Sequence, residues 1–410
     1  MGNALMRATV PILLLSAALT NAGPLDIVRE KVLASTERVP RYTCVQTVER
    51  RQYQTSYRAG TGRCEFPRSP GQLLWRDRLR LDVAVLDGKE TFAWAGASQF
   101  ETTNIEELAP SGSSGSGDFA SFLLAIFGLP ETRISPADLT GVFRFEVPED
   151  QSRYSYRSNG DGERRRIGYH GSFTIDTQRE ELRQIIVDAD QFPAVEQMCR
   201  VQDVLDYHNV KIADRDFLLP ETATMTVLFN NGEESRNETT YSGCREYVGE
   251  TTISFGDDAL SEAITPRTVR APQPLPAGMR LTIAMTSRID SRTAAAGDAI
   301  AGVVVGGQRG GDIVHGRILR LEQDVSPARR WVVAIRFDSI EHPPARGERT
   351  ADQRPMNLRP MHLQPLDDGI RGRRNAILRI KRPPGAGVFV LNGGENLVLD
   401  GKFRSEWETR

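Results

Sequence analysis

The chain is poor in several kinds of residue and pattern, and each scarcity narrows what it can do. No apolar run approaches the roughly 20 residues that a membrane-spanning helix needs, and mean hydropathy over the 410 residues is -0.39. This argues against a helical membrane protein. There are 4 cysteines without a CxxC pair, and 5 histidines, His170, His208, His315, His342 and His362, share no recurring spacing. Zinc modules depend on such spacing, so no metal site is assigned. GxSxG, HExxH, SxxK and Walker A sequences are missing, which removes the linear signatures of the common hydrolases and nucleotidases. No catalytic residue is assigned and no cofactor is expected. A net charge of -2 gives no global pull towards nucleic acid or an anionic membrane.

Charge is nonetheless uneven. From Pro266 onward the balance is +9, and before it -11, which suggests two modules of opposite sign that attract each other. The basic part lacks the interleaved aromatics that single-stranded nucleic acid requires, so no nucleic-acid partner is expected. Apolar residues make up 39% of the chain, enough to exclude wholesale disorder, while Gly 36 and Pro 23 promise many turns.

The first 22 residues, MGNALMRATVPILLLSAALTNA, place Arg7 before a short apolar stretch and then small residues. That is the layout of a secretory signal peptide, and it implies a periplasmic or secreted protein. Export makes the cysteines interpretable, because an oxidising compartment lets Cys44, Cys64, Cys199 and Cys244 pair. Four cysteines allow three connectivities. Cys44–Cys64 and Cys199–Cys244 are favoured here, since each pair brackets what read as neighbouring strands.

Residues 24–37 carry Leu25, Val28, Val32 and Leu33 on one helical face, with proline in the first turn. Period-two patterns then dominate. Trp75, Leu79, Leu81, Val83 and Val85 share one strand face, with Arg76, Arg78, Arg80 and Asp82 on the other. Asp87-Gly88 supplies a hairpin turn. SGSSGSG at 111–117 reads as a flexible loop, leading through Asp118 as N-cap into a very apolar helix over 119–127. Further strands are expected from 141 to 255, with a turn at Asn230-Asn231-Gly232. After a Pro-rich stretch at 264–278, another strand-rich module follows, closing with a hairpin around Asn392-Gly393-Gly394. The fold class is mainly β with few helices. Its parts are a leader at 1–22, a domain over 23–263, a linker over 264–278 and a smaller domain over 279–410.

Gly115-Ser116-Gly117-Asp118-Phe119-Ala120 has the literal GxGxxA form of a dinucleotide fingerprint, but no strand leads into it and no βαβ rhythm surrounds it. Nucleotide binding is not expected. The more distinctive feature is the apolar strand face Trp75, Leu79, Leu81 and Val83 beside Trp94, together with Phe119, Phe122 and Phe127 of the apolar helix. Either the helix simply covers the sheet, or sheet and helix bound an apolar pocket for a lipid-like chain. In the second case the Gly-Ser loop would act as a hinge.

PRYTCVQTVERRQY, DRLRLDVAVLDGKETFAW, SGDFASFLLAIFG and YHGSFTIDTQREELRQI together resemble a group of exported bacterial proteins. Over about residues 24–255 these are similar to the outer-membrane lipoprotein carriers. That resemblance implies a curved, open β-barrel with covering helices, and an apolar ligand beneath them. LPAGMRLTIAMTSRIDSRTAAAGDAIAGVVVGG and the terminal GKFRSEWET resemble a second exported module, a β-sandwich or barrel of envelope scaffold and secretion proteins. Together they imply a non-catalytic envelope protein binding a lipid-like ligand or an envelope protein partner, or a pure interaction scaffold. An unrecognised hydrolase is the remaining alternative.

The leader and the cysteines make one prediction. Intact mass of the exported protein should start at Gly23 and show no alkylation before reduction; a mass retaining residues 1–22, or four reactive thiols, contradicts it.

Overall fold

Alternation of inward apolar and outward polar residues drives most of the chain into strands. The computed structural model describes residues 23–37, 42–54, 64–66, 71–86, 89–97, 99–100, 102–157, 162–212, 215–246, 275–342, 352–361 and 383–410. The leader at 1–22, residues 264–274 of the expected linker and the turn at 87–88 lie outside them.

Helix α1 (Pro24–Glu37) has the bounds its periodicity implied, and it buries Val28 and Val32. Two short helical pieces follow, α2 (Ile105–Leu108) and α3 (Ser121–Leu123), the latter continuing as a π-type turn over Leu124–Gly128. Asp118 does not cap this helix. Ala120 holds the N-cap position without a side-chain bond, and Asp118 is drawn away to the Tyr241 hydroxyl.

The first strands are β1 (Tyr42–Gln54), β2 (Gln72–Leu86), β3 (Lys89–Trp94), β4 (Arg133–Pro136), β5 (Val142–Val147), β6 (Ser155–Arg157) and β7 (Arg164–Arg166). They are followed by β8 (Tyr169–Asp176), β9 (Glu181–Ala189), β10 (Met198–Ile212), β11 (Arg215–Phe229) and β12 (Glu233–Glu246). Antiparallel ladders join them in the order β4–β5–β8–β9–β10–β11–β12–β1–β2–β3, while β6 pairs with β7. The result is a large, curved, open sheet with α1 and α3 on its inner side. Strand β11 runs through Pro220. A bulge opposite, between Asp206 and Tyr207, and the end of the β12 ladder at Thr222 remove the need for an amide there.

Beyond the expected linker come β13 (Arg280–Met285), β14 (Ile289–Asp290), β15 (Ala299–Val304), β16 (Ile313–Asp324) and β17 (Arg330–His342). After these come β18 (Asp352–Pro355), β19 (Leu358–Pro360), β20 (Gly387–Asn392), β21 (Val398–Leu399) and β22 (Arg404–Thr409). The ladders follow β18–β17–β16–β15–β13–β22–β19 around a core that includes Ile283, Val314, Phe337 and the fully buried Trp407. The expected terminal hairpin does not form. Strand β20 pairs with β17 and β21 with β14, because Gly394 turns its carbonyl to Gln323 and Trp331 instead of closing a tight turn.

Strands on either side of the expected linker meet along backbone. Glu322–Asp324 of β16 pair with Trp75–Asp77 of β2, and the Ala296 amide and carbonyl bond Arg78 and Arg80. Leu79, Leu81 and Val83 share one core with Leu319, Val332 and Val388.

The cysteines pair differently from the expectation. The bonds are Cys44–Cys244 and Cys64–Cys199, not Cys44–Cys64 and Cys199–Cys244. Sheet order explains this. Strand β1 lies between β2 and β12, so Cys44 faces Cys244, whereas Cys64 lies in the β1–β2 connection beside the start of β10. Phe66 there packs under the Arg200 guanidinium at 4.5 Å. These bonds span 200 and 135 residues, and in the chain-entropy account each contributes about 5 kcal/mol.

Phe127 is fully buried, edge-on to Phe173 with ring centroids 4.9 Å apart, beneath Arg29 of α1. Phe127→Ala should cost about 3–5 kcal/mol in urea unfolding; a loss below about 1 kcal/mol would show that α3 is not part of the core.

Candidate functional site

All eight residues of the expected apolar site are buried, none more than 5 % exposed. The structure divides them. Phe119 joins Leu79, Leu81, Val83 and Trp94, while Phe122 and Phe127 belong to the core beneath α1, with Tyr169, Phe173 and Leu205. Trp75 lies apart, with Gly112 above its ring and the Arg50 guanidinium 5.4 Å from its centroid.

Between the two groups runs a polar row. Directly opposed residues across β10, β11, β12, β1, β2 and β16 are Asp203, Met225, Asn237, Arg50, Asp77 and Glu322. In antiparallel ladders opposed residues share a face, so these side chains form one line on the inner side. Arg50, 1 % exposed, grips Asp77 through Nε at 2.8 Å and through Nη2. Arg320 grips Glu322 at 2.7 and 2.5 Å.

The Gly-Ser segment crosses this row as a strap. Arg50 donates to the Ser111 carbonyl, Asn237 to the Ser113 carbonyl at 2.9 Å, and Arg320 reaches the Ser111 hydroxyl at 3.4 Å. Gly112 stands at φ +72, where a Cβ would meet the Trp75 ring at 3.1 Å. Glycine here answers a left-handed turn and a close approach, not flexibility. The segment expected to be a free hinge is held by side chains far away in sequence.

At its far end the strap meets three carboxyl groups. Glu90 of β3 accepts the Gly117 and Phe119 amides at 2.9 and 3.1 Å. The GxGxxA motif therefore does present amides to an anion, and the anion is a carboxylate of the same chain. Tyr241 donates to Asp118, Tyr207 to the Asp118 carbonyl at 2.7 Å, and Tyr154 to Asp203 at 3.0 Å. Glu90 and Asp118 keep a partly exposed edge, whereas Asp203 is buried. Loss of water raises Glu90 and Asp203 to about 7 and raises Asp118 as well, with Asp118 adding repulsion to both others. The same desolvation pushes Tyr154, Tyr207 and Tyr241 well above the usual tyrosine range.

A cavity of about 40 Å³ remains under the strap, lined by Arg50, Ser114, Asp118, Asp203 and Asn237 among others. That is room for two or three waters. Gln46 Oε1, Asn237 Oδ1 and Ser114 Oγ, which line it, have no hydrogen-bond partner. Among the described residues no group of three or more His, Cys, Asp or Glu is arranged to hold a metal.

Sequence reasoning missed the polar row and the carboxyl cluster. The available signal was a charged residue in the inward phase of a strand: Arg50 after Gln46 and Val48, Asp77 between Trp75 and Leu79, Glu90 before Phe92 and Trp94.

No protein-family model and no curated protein matches the sequence. Among solved structures, a LolA superfamily protein from Nitrosomonas europaea is similar at 10% identity and a TM-score of 0.25, over 54% of this chain and 94% of that one. A likeness of that size carries no argument about the site.

Arg50 and Asp77 test the row directly. Arg50→Met alone should cost about 3–5 kcal/mol by leaving a buried carboxylate unpaired, and adding Asp77→Leu should recover most of the loss. Additive single losses in denaturant unfolding would mean that the pair does not act as a unit.

Proposed function

We propose that the chain is an exported, non-catalytic envelope protein that works as an interaction scaffold, with modules over 23–263 and 279–410. The observation that carries this reading is the self-filled concavity. Segment 109–128 occupies the space in which a ligand would lie and leaves about 40 Å³, against about 300–1,000 Å³ for small-molecule sites. Its carboxylates are engaged by backbone amides and tyrosine hydroxyls, a structural employment of acids rather than a catalytic one. Two disulfides support an oxidising compartment, and among the described residues no helix is long and apolar enough to cross a membrane.

A second reading keeps a lipid-like ligand. The unpaired polar atoms of Gln46, Asn237 and Trp75 beneath the strap, and of Ser114 on it, make its seat an incomplete fit. A strap that lifted away would open the apolar side chains of α3 and the sheet to an acyl chain.

A fluorescent fatty-acid probe separates the readings. The scaffold reading expects no uptake at about micromolar concentration by the wild type or by Phe122→Ala, with the variant losing about 3–5 kcal/mol of stability. Saturable uptake by the wild type would overturn it and favour the lipid reading.

A further inference from the structure

The strap is held at one end by cations and at the other by acids. At the first end, Arg50 and Arg320 are each matched by a carboxylate, Asp77 and Glu322. At the second, Glu90, Asp118 and Asp203 come together from β3, the strap and β10 without a matching base among the described residues. Among the residues lining the cavity the basic one is Arg50, already committed to Asp77 and to the Ser111 carbonyl. The groups facing the three acids are otherwise tyrosines: Tyr42 from β1, Tyr154 from the segment before β6, Tyr207 from β10 and Tyr241 from β12. Asp188 on β9 also faces Asp203, but its charge is met by Arg200. Three carboxylates largely withdrawn from water, with no cation beside them among the described residues, are costly to keep ionised.

A second, independent feature lies in the same cavity. Gln46 Oε1 and Asn237 Oδ1 are acceptors on side chains 5 % and 4 % exposed, and neither has a donor. A protonated carboxyl supplies such a donor, directly or through a water in the cavity, whereas an ionised one adds only more acceptors.

We propose that Glu90, Asp118 and Asp203 form a proton-operated latch, closed over the concavity when they carry protons and released when they ionise. Closing encloses the three groups and so takes up protons. Opening returns them to water and to the ordinary carboxylate range of about 4. Because the closed-state affinity for protons is the higher one, the latch is fully favoured below that range. Its advantage falls as pH rises and is gone above about 7, the value to which burial lifts Glu90 and Asp203. Within that window each titrating carboxyl changes the opening equilibrium up to about tenfold per pH unit. The inference concerns what holds the segment down, and it stands under either functional reading.

Amide hydrogen exchange of the full, disulfide-bonded protein tests it. Peptides covering 109–128 are followed from about pH 5 to about pH 8, corrected for the intrinsic dependence of exchange on pH. Asp77 at the strap's other end, raised to about 6 by burial, titrates within that range and is followed through peptides of β1 and β2, while peptides from β13 and β22 report any global change. The latch expects opening of 109–128 to rise by about tenfold or more, with the reference peptides unchanged. Asp118→Asn and Asp203→Asn mimic the protonated state, each keeping one oxygen for the tyrosine that donates to it, so each should hold the segment closed at the alkaline end and flatten the profile. Should one variant fail to fold, the other and the wild-type profile still decide. Protection that does not vary with pH overturns the proposal, as does a wild-type profile retained in both variants. If calcium added to chelator-treated protein restores closure at the alkaline end, the acids are compensated by a cation, and the proton latch is likewise wrong.

Discussion

The Arg50–Asp77 pair is the contact on which the architecture turns. It joins β1 to β2 in the middle of the large sheet, and Asp77 lies opposite Glu322, where β16 takes up pairing with β2. The remaining Arg50 nitrogen holds the Ser111 carbonyl, so the strap, the β1–β2 ladder and the β2–β16 junction meet at one ion pair. Arginine suits this place because its planar fork satisfies a carboxylate with two donors and still has a third to spend. A buried lysine would leave part of that set unpaired. The row that begins with Asp203 and ends with Glu322 is thus a polar seam through an otherwise apolar concavity. Apolar burial supplies the bulk of the stability on either side, and the seam fixes where the crossing segment must lie.

Much of the architecture was legible because a strand's inward phase repeats every second residue. Helix α1 was found to the residue, and the in-and-out order of β2 was correct along its length. The disulfides were not legible, because pairing depends on which strand lies beside β1, and that neighbour, β12, comes from the far end of the domain. The terminal hairpin failed for a related reason: Asn392-Gly393-Gly394 has turn chemistry, but Trp331 and Gln323, remote in sequence, claim the Gly394 carbonyl. The strap failed most instructively. Glycine and serine mark flexibility when the surroundings are solvent. Here the same small side chains let the backbone lie against Trp75 and present carbonyls to Arg50 and Asn237. Composition described the segment alone, while its conformation is imposed by the surface it crosses.

The GxGxxA motif illustrates how a local pattern keeps its physics and changes its use. Free backbone amides in a turn attract an anion, and here they are those of Gly117 and Phe119, ahead of the Ala120 N-cap. In a nucleotide-binding protein the anion arrives with the ligand. In this chain Glu90 is delivered by the neighbouring hairpin, which seats the apolar helix without any visitor. The surrounding tyrosines then close off the polar groups, each combining a ring for the core with a hydroxyl for an acid. Tyr207 and Tyr241 both serve Asp118 in this way, one at its carbonyl and one at its carboxylate.

The disulfide connectivity also sets a timetable. A ribosome produces Cys44 and Cys64 first, and both native partners, Cys199 and Cys244, only after most of the large sheet has been synthesised. An oxidant that joined thiols in order of appearance would link Cys44 to Cys64 and trap β1 away from β12. Cys64 must therefore stay reduced, or be re-paired, until β10 begins, and Cys44 until β12 arrives. Oxidation in this protein certifies a finished sheet instead of guiding an early one.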